Sequence, residues 1–127
     1  MNKANFDSRF FVELFYSRDF DLRRRIEEKR KLKEKYVSAV VVHETYNLSL
    51  VRQGREIAKV RATLIKKDFK VIPVDDQIAE GSAELRHKYR LSMGDGMIAA
   101  TAANWKAVCI TDDPYFNQIK EIETAWI

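Results

Sequence analysis

The chain has 127 residues, 46% of them hydrophobic and 33% charged, and a formal net charge of +4. This length suits one domain spanning residues 1–127, with a core large enough to need no covalent staples. Two histidines and one cysteine exclude both an internal disulfide and a zinc site of nitrogen and sulfur ligands, so any metal must be held by oxygen. No stretch has the apolar length of a signal peptide or a membrane span, and a soluble, cytoplasmic protein is expected.

Strands alternating with helices are expected along the chain, the pattern of an α/β sheet. Lys3–Phe6 reads as a first strand. Ser8 is a candidate cap for a helix carrying Phe11, Val12, Leu14 and Phe15. Asp19 or Asp21 opens a charged helix that runs to about Tyr36. From Arg18 to Lys35 there are nine Lys/Arg and five Asp/Glu, so this segment holds the entire positive surplus. Such a patch attracts polyanions; its simpler reading is a solvated helix face with interspersed charges.

Tyr36–Val42 is the clearest β-branched run and reads as a strand, leading into a helix with Glu44, Tyr46, Leu48 and Val51. Gly54 breaks the chain. Ile57, Val60, Leu64 and Ile65 then mark the apolar side of another helix. Lys70–Val74 reads as a short strand ended by Pro73. Asp75 or Asp76 opens a helix burying Ile78, Ala79, Ala83 and Leu85. Gly94 marks a turn before a helix starting at Asp95. Ala107–Ile110 reads as a buried strand containing Cys109. Pro114 suits the first turn of a short helix, and an edge strand is expected within Glu121–Ile127. Phe10, Phe11, Phe15 and Phe116 read as core side chains and not as base-stacking platforms.

Four acids fall at junctions between elements: Asp7 after the first strand, Glu44 beyond Val40–Val42, Asp95 at a helix start, and Asp113 after the last buried strand. In an open α/β sheet, ligands bind beyond the carboxyl ends of the strands, so one fold can gather these acids at a single edge. Crowded carboxylates repel and tend to take up protons, unless a hard divalent cation with a preference for oxygen supplies the counter-charge. Each acid also has an ordinary structural reading as a helix cap, a turn residue or an exposed helical side chain.

The residues around these acids resemble the PIN-domain family. Asp7-Ser8-Arg9-Phe10-Phe11 resembles its opening Asp-(Ser/Thr)-hydrophobic motif, and Ser38 followed by Glu44 resembles its Ser-to-Glu element. Leu91–Ala102 is similar to its helix-start motif around the third acid. Val108–Phe116 resembles its closing Thr-x-Asp-x-x-Phe motif. The resemblance implies a three-layer α/β/α fold with a central parallel sheet of four or five strands. It further implies an Mg²⁺- or Mn²⁺-dependent endoribonuclease of the VapC toxin type, with an antitoxin protein as partner and a homodimer as the common assembly. By this likeness Asp7, Glu44, Asp95 and Asp113 would be the metal-binding and catalytic acids. Ser8 and Thr111 would orient carboxylates or waters, and Asp112 competes with Asp113 for the fourth position. Arg9, Arg18, Arg23, Arg24, Arg25, Lys29 and Arg30 would attract the backbone of single-stranded or looped RNA. The chain departs from the family pattern at Arg9, at Val41, where Thr is common, and at Gly96, where Ala is common and whose presence suggests a looser helix start.

Rival functions are a catalytically silent PIN-fold module that binds RNA or protein, and a haloacid-dehalogenase-type phosphatase. The phosphatase needs a second acid two residues after the first, and Arg9 stands there instead.

Overall fold

The computed structural model describes residues 3–127. Five parallel strands form one sheet: β1 (Lys3–Phe6), β2 (Glu34–Ser38), β3 (Lys70–Ile72), β4 (Val108–Ile110) and β5 (Thr124–Ala125), in the spatial order β3-β2-β1-β4-β5. Six helices flank it to complete an α/β/α sandwich: α1 (Ser8–Tyr16), α2 (Phe20–Arg30), α3 (Ala39–Arg52), α4 (Arg55–Asp68), α5 (Asp76–Tyr89) and α6 (Met93–Trp105). From β1 the chain builds outward through β2 and β3, then returns to β1's other side for β4 and β5. The order therefore reverses between β1 and β4, where Asn5 pairs with Cys109 and Phe6 with Ile110. A crevice opens at such a switch point, beyond the carboxyl ends of the strands.

Beneath that crevice the first strand and helix supply most of the aromatic core. Phe6, Phe10 and Phe11 are fully buried. Phe6 packs edge-on against Phe10 with ring centroids 4.6 Å apart, and Phe11 meets Phe69 at 5.0 Å. Phe116 is fully buried and Phe15 packs against the same cluster. Cys109 lies inside the core with its thiol pushed up by burial, a small hydrophobe and not a nucleophile.

Several expected boundaries move. The charged helix stops at Arg30, and the chain enters β2 at Glu34 instead of staying helical to Tyr36. The strand tolerates Lys35 because its ammonium is matched, donating to the Arg30 carbonyl and, at 2.9 Å, to Asp68 Oδ1. Val40–Val42 are helical, not strand. The Ser38 hydroxyl accepts from the Val40 amide at 3.2 Å, and this cap with the packing of α3 overrides the β-preference of three valines. Glu44 consequently sits in the second turn of a helix and not at a strand end.

Asp7, not Ser8, caps α1, and Ser92, not Asp95, caps α6, so Gly94 is helical. The strands expected at Lys70–Val74 and Glu121–Ile127 are shorter, at Lys70–Ile72 and Thr124–Ala125. On α4 the buried face is Ala58, Ala62 and Ile65, while Ile57, Val60 and Leu64 are exposed; on α5, Ser82 is buried where Ala79 and Ala83 were expected. Gly96 does not loosen its helix. A Cβ there would meet Arg86 Cγ at 2.5 Å and Ser82 Oγ at 2.8 Å, so its absence lets α5 and α6 pack closely.

Candidate active site

Asp7 follows β1 directly. Its extended backbone (φ −73°, ψ 159°) turns the chain from strand to helix. Oδ1 accepts from the Ser8 amide at 2.7 Å and the Ser8 hydroxyl at 3.3 Å. Oδ2 accepts from the Thr111 hydroxyl at 2.7 Å, and the Thr111 oxygen in turn accepts from the Asp113 amide at 3.1 Å. Thr111 lies just beyond β4, so the ends of two neighbouring strands fix one carboxylate across the switch point. Only 1% of Asp7 is exposed. That burial pushes its carboxyl above the ordinary value, against the Thr111 and Ser8 bonds that favour the charge, and the nearby Asp95 carboxylate adds to the rise.

Glu44 reaches the crevice from α3. Burial raises its affinity for a proton, and the charges of Asp7 and Asp95 raise it further, with the Ser8 hydroxyl and His43 opposing. The single Ser8 proton serves one carboxylate at a time, and Glu44 Oε1 is buried with no hydrogen-bond partner. Asp95 stands in the first turn of α6, where burial and then the Asp113 charge raise its carboxyl, while Ser92 opposes. These mutual effects link Glu44, Asp7, Asp95 and Asp113 into one electrostatic group.

Asp113 and Asp112 face different ways. Asp113 Oδ1 accepts from the Tyr115 amide at 3.0 Å, capping the short 3₁₀ turn Pro114–Gln118, and its charge is felt by Asp95. Asp112 pairs with Arg9, Nε to Oδ1 at 2.9 Å and Nη2 to Oδ2 at 3.3 Å. Of the two, Asp113 is the one whose charge reaches Asp95, and Asp112 is occupied by Arg9.

The α2 cations stand apart. Arg23 donates to the Leu14 and Ser17 carbonyls, Arg24 pairs with Asp21, and Arg30 pairs with Glu27 and Asp68. Arg18, Arg25 and Lys29 form no ion pair among the described residues, and none of these cations pairs with a site acid.

Two contributors escaped the sequence reading. A Cβ on Gly94 would stand 2.9 Å from Glu44 Oε2, so the start of α6 lies against the Glu44 carboxylate and a larger residue there would shift it. The buried Asn5 amide donates to the Ile98 carbonyl at 3.2 Å, tying β1 to α6 one turn from Asp95. A glycine beside an acid at a helix start was the available signal for the first; nothing local marks the second.

An all-oxygen, anionic, half-buried group with an unpartnered carboxylate oxygen fits a hard divalent cation. Among the described residues no three His, Cys, Asp or Glu side chains form a group placed to hold a cation together. The PIN domain model matches residues 5–122. The chain belongs to the PIN-domain family. This PIN domain is similar to a chain in the crystal structure of VapBC2 from Rickettsia felis bound to a fragment of promoter DNA, with TM-score 0.82, 15% identity and 98% of each chain covered. It is similar also to DNA-bound VapBC from Salmonella typhimurium, at TM-score 0.82 and 17% identity over 99% of this chain and 98% of the other. Mycobacterium tuberculosis VapC20, a toxin cleaving the sarcin-ricin loop, matches with TM-score 0.74 and 22% identity over 91% of this PIN domain and 94% of the toxin. At these identities the likeness is one of fold. No curated protein is a detectable match. Among the described residues no helix is long and apolar enough to cross a membrane.

Proposed function

We propose that this PIN domain is an endoribonuclease dependent on Mg²⁺ or Mn²⁺, with Asp7, Glu44, Asp95 and Asp113 as its metal-binding acids. The observation that carries the reading is geometric: Asp7 is buried and clasped by Thr111 across the switch point, and Glu44, close enough to feel its charge, keeps a buried oxygen without a partner. A fold assembled only for stability gains nothing from that arrangement. The bound cation would neutralise the cluster and polarise a phosphodiester. Thr111 and Ser8 hold Asp7 in one orientation, the role of groups that fix a metal's ligands. Glu44, whose Oε1 has no partner in the chain and whose basicity is raised by burial, would hold the cation through a water and take that water's proton. The water oxygen bonds to phosphorus as the bond to the 3′ oxygen breaks, leaving a 5′-phosphate and, after protonation from solvent, a 3′-hydroxyl. Arg18, Arg25 and Lys29 add backbone attraction that weakens as salt rises.

The test is cleavage of single-stranded RNA with Mg²⁺, Mn²⁺ or EDTA by wild type and Asp95→Asn. Cleavage by wild type alone, abolished by EDTA, is expected; equal rates from both proteins reject the site.

The same reading makes the protein the toxin of a toxin–antitoxin pair working in the cytoplasm, supported by its likeness in fold to VapBC chains. A groove of about 210 Å³ between α1, α2 and α4, lined by Leu14, Phe15, Arg23, Leu64 and Asp68 among others, suits an amphipathic helix from such a partner. Growth arrest on overexpression, relieved by the product of a small neighbouring reading frame, is expected; harmless overexpression rejects the toxin role. A homodimer is the expected assembly, and sedimentation at micromolar concentration checks it.

A further inference from the structure

A cavity of about 170 Å³ lies between α1 and α3, with Ser8 and Glu44 at one end and walls of Phe11, Val12, Phe15 and Leu48. It is smaller than the roughly 300 Å³ at which pockets for drug-sized ligands begin, and suits a single planar ring. Thr45 lines it, is 7% exposed, and its Oγ1 has no hydrogen-bond partner. Helical threonines ordinarily satisfy themselves on the preceding turn. Thr63 does so on the Lys59 carbonyl at 2.9 Å, and Thr101 on the Met97 carbonyl at 2.7 Å. Thr45 alone of these three keeps its hydroxyl free, and a buried free hydroxyl is costly unless something visits it.

Cations stand behind the lining residues Tyr16 and Ser49. Arg61 Nη1 donates to Tyr16 Oη at 2.7 Å, Gln53 Oε1 at 3.0 Å and Ser49 Oγ at 3.1 Å, all neutral acceptors. No carboxylate among the described residues pairs with it. Its guanidinium and that of Arg52 each lie 4.7 Å from the Tyr16 ring centroid. From Glu44 to Ser49 the α3 axis advances about 7.5 Å, the order of one nucleotide of extended strand. Acids, an apolar slot with one polar reader, and unmatched guanidiniums therefore follow one another at nucleotide spacing.

We propose that this cavity receives the base of the nucleotide beside the scissile phosphate in single-stranded RNA. Thr45 Oγ1 bonds the base edge, and Arg61 with Arg52 draws the next phosphate. The inference rests on the nuclease reading, and the experiment separates the two.

Full-length wild type, Thr45→Val and Val12→Trp, the last filling the slot, are compared in three assays. These are mapping of cleaved ends on a random-sequence RNA, fluorescence anisotropy with short single-stranded RNAs in Ca²⁺, and the melting shift produced by Mn²⁺. Thr45→Val is expected to change base preference at one position next to the cut by about two- to tenfold, the worth of one neutral hydrogen bond. Val12→Trp lowers RNA affinity and cleavage for every sequence, and both variants keep the Mn²⁺ shift. Unchanged preference and affinity in both, with wild-type cleavage intact, overturns the base site and leaves the nuclease standing. No cleavage by any protein, but RNA affinity lost in Val12→Trp, upholds the cavity and removes the nuclease. Loss of a co-expressed protein partner with RNA affinity unchanged assigns the slot to a peptide and overturns the proposal. Should Val12→Trp fail to fold, the isosteric Thr45→Val decides alone.

Discussion

Acids are sequestered at both ends of the sheet, with opposite outcomes. Near the amino ends of β2 and β3, Asp68 accepts from Lys35 Nζ at 2.9 Å and Arg30 Nε at 3.2 Å. Burial alone would raise its carboxyl, yet the bonds and charges of Lys35 and Arg30 outweigh burial and hold it below the ordinary value. At the carboxyl ends, Asp7, Glu44 and Asp95 have hydroxyls and amides for company but no ion pair among the described residues, and all three are raised. The first acid is neutralised by the chain itself; the others are not paired with a cation of the described chain. The sign of the shift, more than burial, separates an acid that serves stability from one that serves chemistry.

Removing an acid tests this contrast most severely. Groups that merely support a metal's ligands are worth about 10–100-fold, so Asp7→Asn or Asp95→Asn should lower RNA cleavage by more than about 100-fold in initial-rate assays. Thr111→Val, which frees Asp7 Oδ2, should fall within that supporting range in activity or in Mn²⁺ affinity by calorimetry, while the fold persists by circular dichroism. Lys35→Met should do the reverse. It should cost about 1–3 kcal/mol in urea unfolding, the range for losing a part-buried hydrogen bond to a charged group, and leave cleavage unchanged. A Lys35→Met protein of undiminished stability would erase the distinction.

Acidity should pull the two regions in opposite directions, the smallest effect of the set. Stability from Asp68 is complete above its ordinary value of 3.8 and fades as pH falls through its lowered folded value. For the raised acids, the metal-free protein carries a penalty above their folded values, and this is relieved as pH falls from neutrality toward the ordinary 3.8 and 4.5. Melting in EDTA should therefore improve slightly on mild acidification before declining, and Asp95→Asn should blunt the improvement.

What the sequence made legible was local. The Gly54 break, the Pro114 turn and the strands at Lys3–Phe6 and Val108–Ile110 carry their signals within a few residues. Val40–Val42 misled because a β-branched run is judged by propensity, whereas Ser38 and the packing of α3 decide it. Lys35 hid the start of β2 because a charge in a basic run looks solvated until Asp68 is seen beside it. The exposed Ile57, Val60 and Leu64 mimic a core stripe, while the true inner face of α4 is largely alanine. In the site, the positions of Asp7 and Asp113 follow from strand ends. Thr45 and Gly94 acquire meaning only from what α1 and Glu44 bring near them.

Although β1 comes first in the chain, it is the middle strand, and its Asp7 is clasped by Thr111, 104 residues away. Pairings so distant in sequence form late in folding. A partly synthesised chain thus carries its first acid with nothing to aim it until β4 and Thr111 have been joined. A fragment ending at residue 107 should show no Mn²⁺-induced rise in melting temperature; such a rise would show that the clasp is dispensable.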